Sequence, residues 1–147
     1  MLHIVSRLSG YKHEFMDKKI LKYDAILFDL DGTIIDSSPG VISCFCNTLQ
    51  VLGINEPDRK TLYSIVGPPL QESFCDLFGM SNKDAENAVE IFRREYSDKG
   101  LYNSTPYTGI PKLLQTLCDL EIYLAIATSK PQVFADRMLS YHKLDKY

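Results

Sequence analysis

The sequence predicts an α/β protein, a parallel β-sheet whose first crossover is interrupted by a long α-helical insert. Three observations carry this. Residues 24–30 (DAILFDL) form a short apolar run suited to a strand buried on both faces of a parallel sheet. Residues 122–127 (IYLAIA) form a second such run, and no other segment shares the character. Between them apolar residues recur at helical spacing, over far more chain than the dozen or so residues a parallel crossover needs.

The elements follow in order. Residues 1–19 show no clear period and are expected to be an N-terminal extension, with residues 1–15 mobile or loosely docked. After the first strand a helix is expected over Val41–Leu52, stopped by Gly53. Asp58 or Thr61 starts a short helix that ends by Gly67-Pro68-Pro69, a turn or plain loop. Residues 70–78 continue to Gly79. Ser81 caps a long helix, with Asp84 favourably placed in its first turn and Gly100 at its close. Asn103–Gly109 reads as a linker. Ile110, Leu113, Leu114, Leu117 and Leu120 mark an amphipathic helix that suffices as the crossover. Pro131 suits the first turn of a last helix. The expected domains are a partial α/β core over 20–38 and 107–147 and a helical cap over 39–106. The insert leaves just after the first strand, so it is placed to act as a lid above the strands' carboxyl ends.

Composition bounds the partners. A net charge of -3 on 147 residues gives no electrostatic case for nucleic acid or an anionic membrane. No stretch approaches a membrane span, and no export signal is evident. Cys44, Cys46, Cys75 and Cys118 lack zinc-ligand spacing and read as small buried hydrophobes. Together these features give a cytoplasmic expectation. His3, His13 and His142 have no partner at motif spacing and read as surface residues.

The chemistry sits at the end of the first strand. Asp29 and Asp31 are two residues apart, followed by Gly32, which permits a tight turn. Carboxylates there are costly unless they bind a cation, pair or titrate. One reading is a helix cap in an ordinary Asp-Gly turn; Asp29, within the apolar run, argues against it. A calcium loop fails because Gly32 directly follows the second Asp and no spaced third ligand precedes it. The third reading is an Mg²⁺ site with one carboxylate as a nucleophile.

FDLDGTIIDSS closely resembles the first motif of the haloacid dehalogenase superfamily of phosphohydrolases. LAIATSKP resembles its second motif, a hydrophobic strand ending on Thr or Ser. The chain is most similar to the phosphoglycolate phosphatase-like and 5′-nucleotidase-like branch, over about residues 22 to 147. That resemblance implies a Rossmann-like parallel sheet, incomplete at its C-terminus, with an inserted helical cap. It implies Asp29 as a nucleophile forming an aspartyl-phosphate, and Asp31 as general acid and then base. Mg²⁺ is implied as the cofactor, held by Asp29 and the Asp31 carbonyl, and a small phosphorylated metabolite as the substrate. Thr128 and the Ser129 N–H are implied to bind phosphoryl oxygens, with Gly32 and Thr33 shaping the loop and Lys130 adjoining the substrate. Taken without the family, Thr128 and Ser129 read as caps of the last helix, Lys130 as a solvated lysine, and Asp36 as a structural hydrogen-bonding group.

Two family motifs are not found. No Gly-Asp pair follows residue 131, and Lys143 and Lys146 belong to no strand-linked motif. The expectation is therefore a truncated product or one piece of a longer parent, with little or no phosphatase activity. Apolar faces such as Phe28 and Ile126 should be partly exposed. The alternatives are a pyrophosphatase or phosphosugar mutase within the fold, or a non-catalytic remnant that binds phosphate or a partner. A D-x-D glycosyltransferase is a more distant option, since it would need a nucleotide-sugar domain upstream of Asp29.

Overall fold

A computed structural model describes the backbone of residues 3–6 and the whole of residues 23–147. The chain divides into two compact units, one of residues 1–35 and 106–147, the other of residues 36–105. Most of the expected N-terminal extension lies outside the described residues.

The first unit is built on a three-stranded sheet of order β1 (His3–Ser6), β5 (Tyr123–Thr128), β2 (Ala25–Phe28). β2 and β5 pair in parallel from Ala25↔Tyr123 to Phe28↔Ile126, as the two apolar runs require. The crossover helix α5 (Ile110–Asp119) precedes β5, and α6 (Gln132–Tyr141) follows it. Leu114, Ala135, Met138 and Leu139 turn inward from these helices. β1 is an addition that the sequence did not announce. Its backbone runs antiparallel to β5, from His3↔Thr128 to Ser6↔Ala125. Four residues are too few for a periodic signal.

β2 corrects one expectation. It is not buried on both faces, since Leu27 is 59% exposed. Among the described residues only β5 pairs with it. On the other side half-buried Phe28 lines an open cleft of about 390 Å³ with Leu124, Leu139 and Leu144, whereas Ile126, expected to be partly exposed, is buried at 8%.

The second unit is helical: α1 (Ser38–Val51), α2 (Arg59–Ser64), α3 (Leu70–Phe78), α4 (Asn82–Asp98) and a 3₁₀ turn at Gly100–Tyr102. Its start and stop signals work locally. Asp58 accepts the Thr61 N–H at 3.0 Å and so caps α2. Ser81 Oγ accepts the Asp84 N–H at 3.2 Å and caps α4. Gly79 ends α3 in the left-handed region. The core centres on Phe45 and Phe74, stacked with ring centroids 4.5 Å apart, with Leu49, Ala88 and Phe92 also buried. α1 passes the 3₁₀ turn at very short range. A Cβ on Gly40 would stand 2.0 Å from the Gly100 carbonyl oxygen, so only glycine fits there.

At the two chain crossings, β3 (Ile35–Asp36) and β4 (Thr105–Pro106) pair as a small sheet. Among the described residues no helix is long and apolar enough to cross a membrane. The four cysteines are free; Cys44 is buried and the others are half-buried.

Candidate active site

Parallel pairing puts the C-terminal ends of β2 and β5 at one edge of the sheet, the edge at which open α/β sheets bind ligands. The last pair is Phe28↔Ile126. Asp29 is therefore the first residue beyond β2, and Ala127 and Thr128 are the last two of β5.

A tight loop follows Asp29. Leu30, fully buried, anchors it: its carbonyl accepts the N–H groups of Ile34 and Ile35, both at 3.0 Å. The Gly32 N–H closes the loop on the Ile35 carbonyl at 2.9 Å. Gly32 has φ +77°, a conformation costly for any residue with a Cβ. Gly32 and Thr33 are exposed at the loop's tip.

The facing loop leaves β5. Thr128 is 2% exposed, and its Oγ1 accepts the backbone N–H of Lys130 at 3.3 Å. That turn brings the lysine back toward the first loop. Lys130 Nζ lies 3.2 Å from Asp31 Oδ2, with the lysine side chain 8% exposed and the aspartate 22%. The reading of Lys130 as solvated is thus overturned. Its four-carbon stem is covered, and its charge is matched by a carboxylate, as burial of an ammonium demands. Nor does Thr128 cap the last helix. The residue at the N-cap of α6 is Pro131, and no side chain bonds there.

Asp31, Thr128 and Lys130 are joined by these contacts. Asp29, Gly32, Thr33 and Ser129 lie in the same two loops, all exposed. Asp36 is structural: its Oδ1 accepts both the N–H (3.0 Å) and the hydroxyl (2.6 Å) of Ser38 at the start of α1. The Lys130 pairing was the feature that sequence reading missed. Its only signal was a lysine between a strand's final Thr-Ser and a helix-starting proline.

The donors present suit a hard cation in kind. Asp29 offers an exposed carboxylate, and Mg²⁺ typically takes one or two carboxylates with several waters and a substrate phosphate. Among the described residues no group of three or more His, Cys, Asp or Glu converges as a closed metal cage. An exposed carboxylate just beyond a strand end is thus the kind of donor that an open Mg²⁺ site uses.

Comparison with known proteins gives a consistent answer. Residues 26–147 match the family described as haloacid dehalogenase-like hydrolase. A 5′-nucleotidase of Pseudomonas aeruginosa is 39% identical over 127 residues, covering 86% of this chain and 58% of that protein. The tyrosine-protein kinase PtkA of Mycobacterium tuberculosis is 34% identical over 122 residues, covering 83% of this chain and 41% of the kinase. The crystal structure of a predicted phosphatase from Clostridium acetobutylicum superimposes with a TM-score of 0.79 at 37% identity, over 85% of this chain and 58% of that one. The chain thus spans less than three fifths of the length of these relatives.

Proposed function

The chain belongs to the haloacid dehalogenase-like hydrolase family, and we propose that its sheet edge carries the nucleophile and phosphate-binding half of a phosphomonoester hydrolase. The observation that supports this most is the position of Asp29. It is an exposed carboxylate directly beyond a parallel strand, beside the strand that ends on buried Thr128. The relatives named a 5′-nucleotidase and a predicted phosphatase favour the same chemistry.

In this reading an Asp29 carboxylate oxygen attacks phosphorus, and the bond from phosphorus to the ester oxygen breaks. The product is an aspartyl-phosphate. Asp31 supplies a proton to the departing alkoxide and later takes one from the water that cleaves the acyl phosphate. Thr128 Oγ1 and the Ser129 N–H hold phosphoryl oxygens, Gly32 and Thr33 shape the rim, and Lys130 brings positive charge. Mg²⁺, when bound, neutralises phosphate charge so that an anionic nucleophile can approach an anionic ester. The helical unit 36–105 is read as the family's inserted cap, and the substrate as a small phosphorylated metabolite.

The test is covalent labelling. The chain is incubated with a small phosphoryl donor such as acetyl phosphate and Mg²⁺, then digested and mapped by mass spectrometry. Phosphate on Asp29, absent from Asp29→Asn, is the expected result. Label elsewhere, or none in either protein, removes the nucleophile and leaves a phosphate-binding module as the better description.

A further inference from the structure

The ion pair between Lys130 and Asp31 raises a question that the proposed chemistry leaves open. A nearly buried lysine at a phosphate site is already engaged by a carboxylate. We propose that Lys130 is an exchanging anion receptor: it holds the Asp31 carboxylate in the empty site and transfers to the phosphoryl group when a phosphate dianion enters. The proposal rests on the phosphate-site reading above and adds how that site is charged when empty and when filled.

Three observations carry it. First, the pair bridges the two loops that flank the sheet edge, one after β2 and one after β5, so an anion entering between them meets both partners. Second, the backbone at Lys130 is held in place. The Lys130 N–H is tied to Thr128 Oγ1, yet a lysine carries a compact ammonium on four rotatable carbons, which can turn from one acceptor to another without moving the chain. Third, the ammonium meets the aspartate at Oδ2, and the aspartate end is partly open to solvent. A released Asp31 carboxylate can therefore be hydrated at once. A phosphate monoester carries close to two negative charges near neutral pH and three strong acceptor oxygens, so it outcompetes a singly charged carboxylate for the same ammonium.

This arrangement makes an unusual prediction about the direction of a mutation. Asp31 is a competitor for Lys130, so removing its charge should strengthen anion binding. Inorganic phosphate is titrated into the whole chain at fixed ionic strength without added metal, and the backbone amide resonances of Thr128, Ser129 and Lys130 are followed by NMR. Asp31→Asn is expected to bind about tenfold more tightly than the unaltered protein, the scale of one charge-assisted hydrogen bond. Lys130→Met is expected to lose saturable binding, and Lys130→Arg, which keeps the charge, to retain it. The amide spectrum of each variant before titration reports whether it is folded, and Lys130→Gln replaces Lys130→Met if the latter is not.

Weaker or unchanged binding in Asp31→Asn overturns the exchange and leaves the pair a structural tie. Unchanged binding without the lysine, or no binding by the unaltered protein, also overturns it. None of these readouts needs Asp29 to react. Failed labelling of Asp29 with phosphate binding as expected sinks the hydrolase reading alone, and the reverse pattern sinks the exchange alone.

Discussion

At the scale of single residues, environment decides what each ionisable side chain does. His142 lies at the end of α6, half-buried, with its ring edge-on to Tyr141 at 4.9 Å between centroids. Burial pushes its pKa below the ordinary 6.5 because the charged form is poorly solvated there. The unfolded chain then binds a proton more readily than the native one. His142 therefore supports the fold fully above about pH 6.5 and progressively less as the pH falls toward its native value. The stability difference between the unaltered protein and His142→Gln, from denaturant midpoints at about pH 7.5 and about pH 5.5, should shrink or reverse at the lower pH. A difference independent of pH would show that the imidazole does not titrate with folding. The same scale explains what was legible. Asp29, Asp31 and Thr128 stand out in the sequence because charge or hydroxyl interrupts an apolar run. Lys130 does not, because its role depends on where a flexible side chain folds back, and no spacing encodes that. Histidine misled for a related reason: without a motif partner it reads as surface, whereas packing at a helix end half-covers it.

At the scale of elements, the helices were readable because their signals are local. Asp58, Ser81 and Gly79 each act within one turn of the helix they start or stop. Boundaries still moved. α1 starts at Ser38, not Val41, since Asp36 supplies the bonds that open it earlier. The close passage of α1 over the 3₁₀ turn was invisible, as it joins residues sixty apart whose only signature is two ordinary glycines. It makes a sharp forecast. Gly40→Ala places a methyl group 2.0 Å from the Gly100 carbonyl oxygen, and α1 must shift to admit it. The expected loss is about 1–3 kcal/mol, typical of overpacking, against the small gain in helix propensity from alanine. Chemical denaturation monitored by circular dichroism measures it; equal or greater stability in Gly40→Ala would show that the turn yields freely. Cys44 belongs to the same contact. Burial is the main cause of a thiol pKa of about 11, so the side chain packs there as an uncharged group, in keeping with the sequence reading.

At the scale of the molecule, the sheet was only partly foreseen. Its two parallel strands were evident, since a buried parallel strand is written as an unbroken apolar run. β1 was not, and the exposure of Leu27 ran against the same rule. Apolar composition reports what a strand can bury, while actual burial depends on which neighbours are there. β1 has its own test. Its backbone covers one side of β5 from Ala125 to Thr128, so a chain lacking the first six residues should lose hydrogen-exchange protection at amides in that stretch, while α1 and α4 keep theirs. Unchanged protection along β5 would mean that β1 adds nothing to the sheet.

The register between β2 and β5 has a consequence for how a preparation of this protein is judged. Neighbouring residues in a strand face opposite sides, so a slip of one residue would turn Ile126 away from Phe28, and Thr128 with it, while preserving the length of both strands. Such a chain would give the same far-ultraviolet spectrum and nearly the same hydrodynamic size as the native one. Quality control that measures only secondary structure or compactness would pass it. A ligand that must touch both loops at once is the more discriminating gauge, because it counts only the molecules whose strands have been threaded in step.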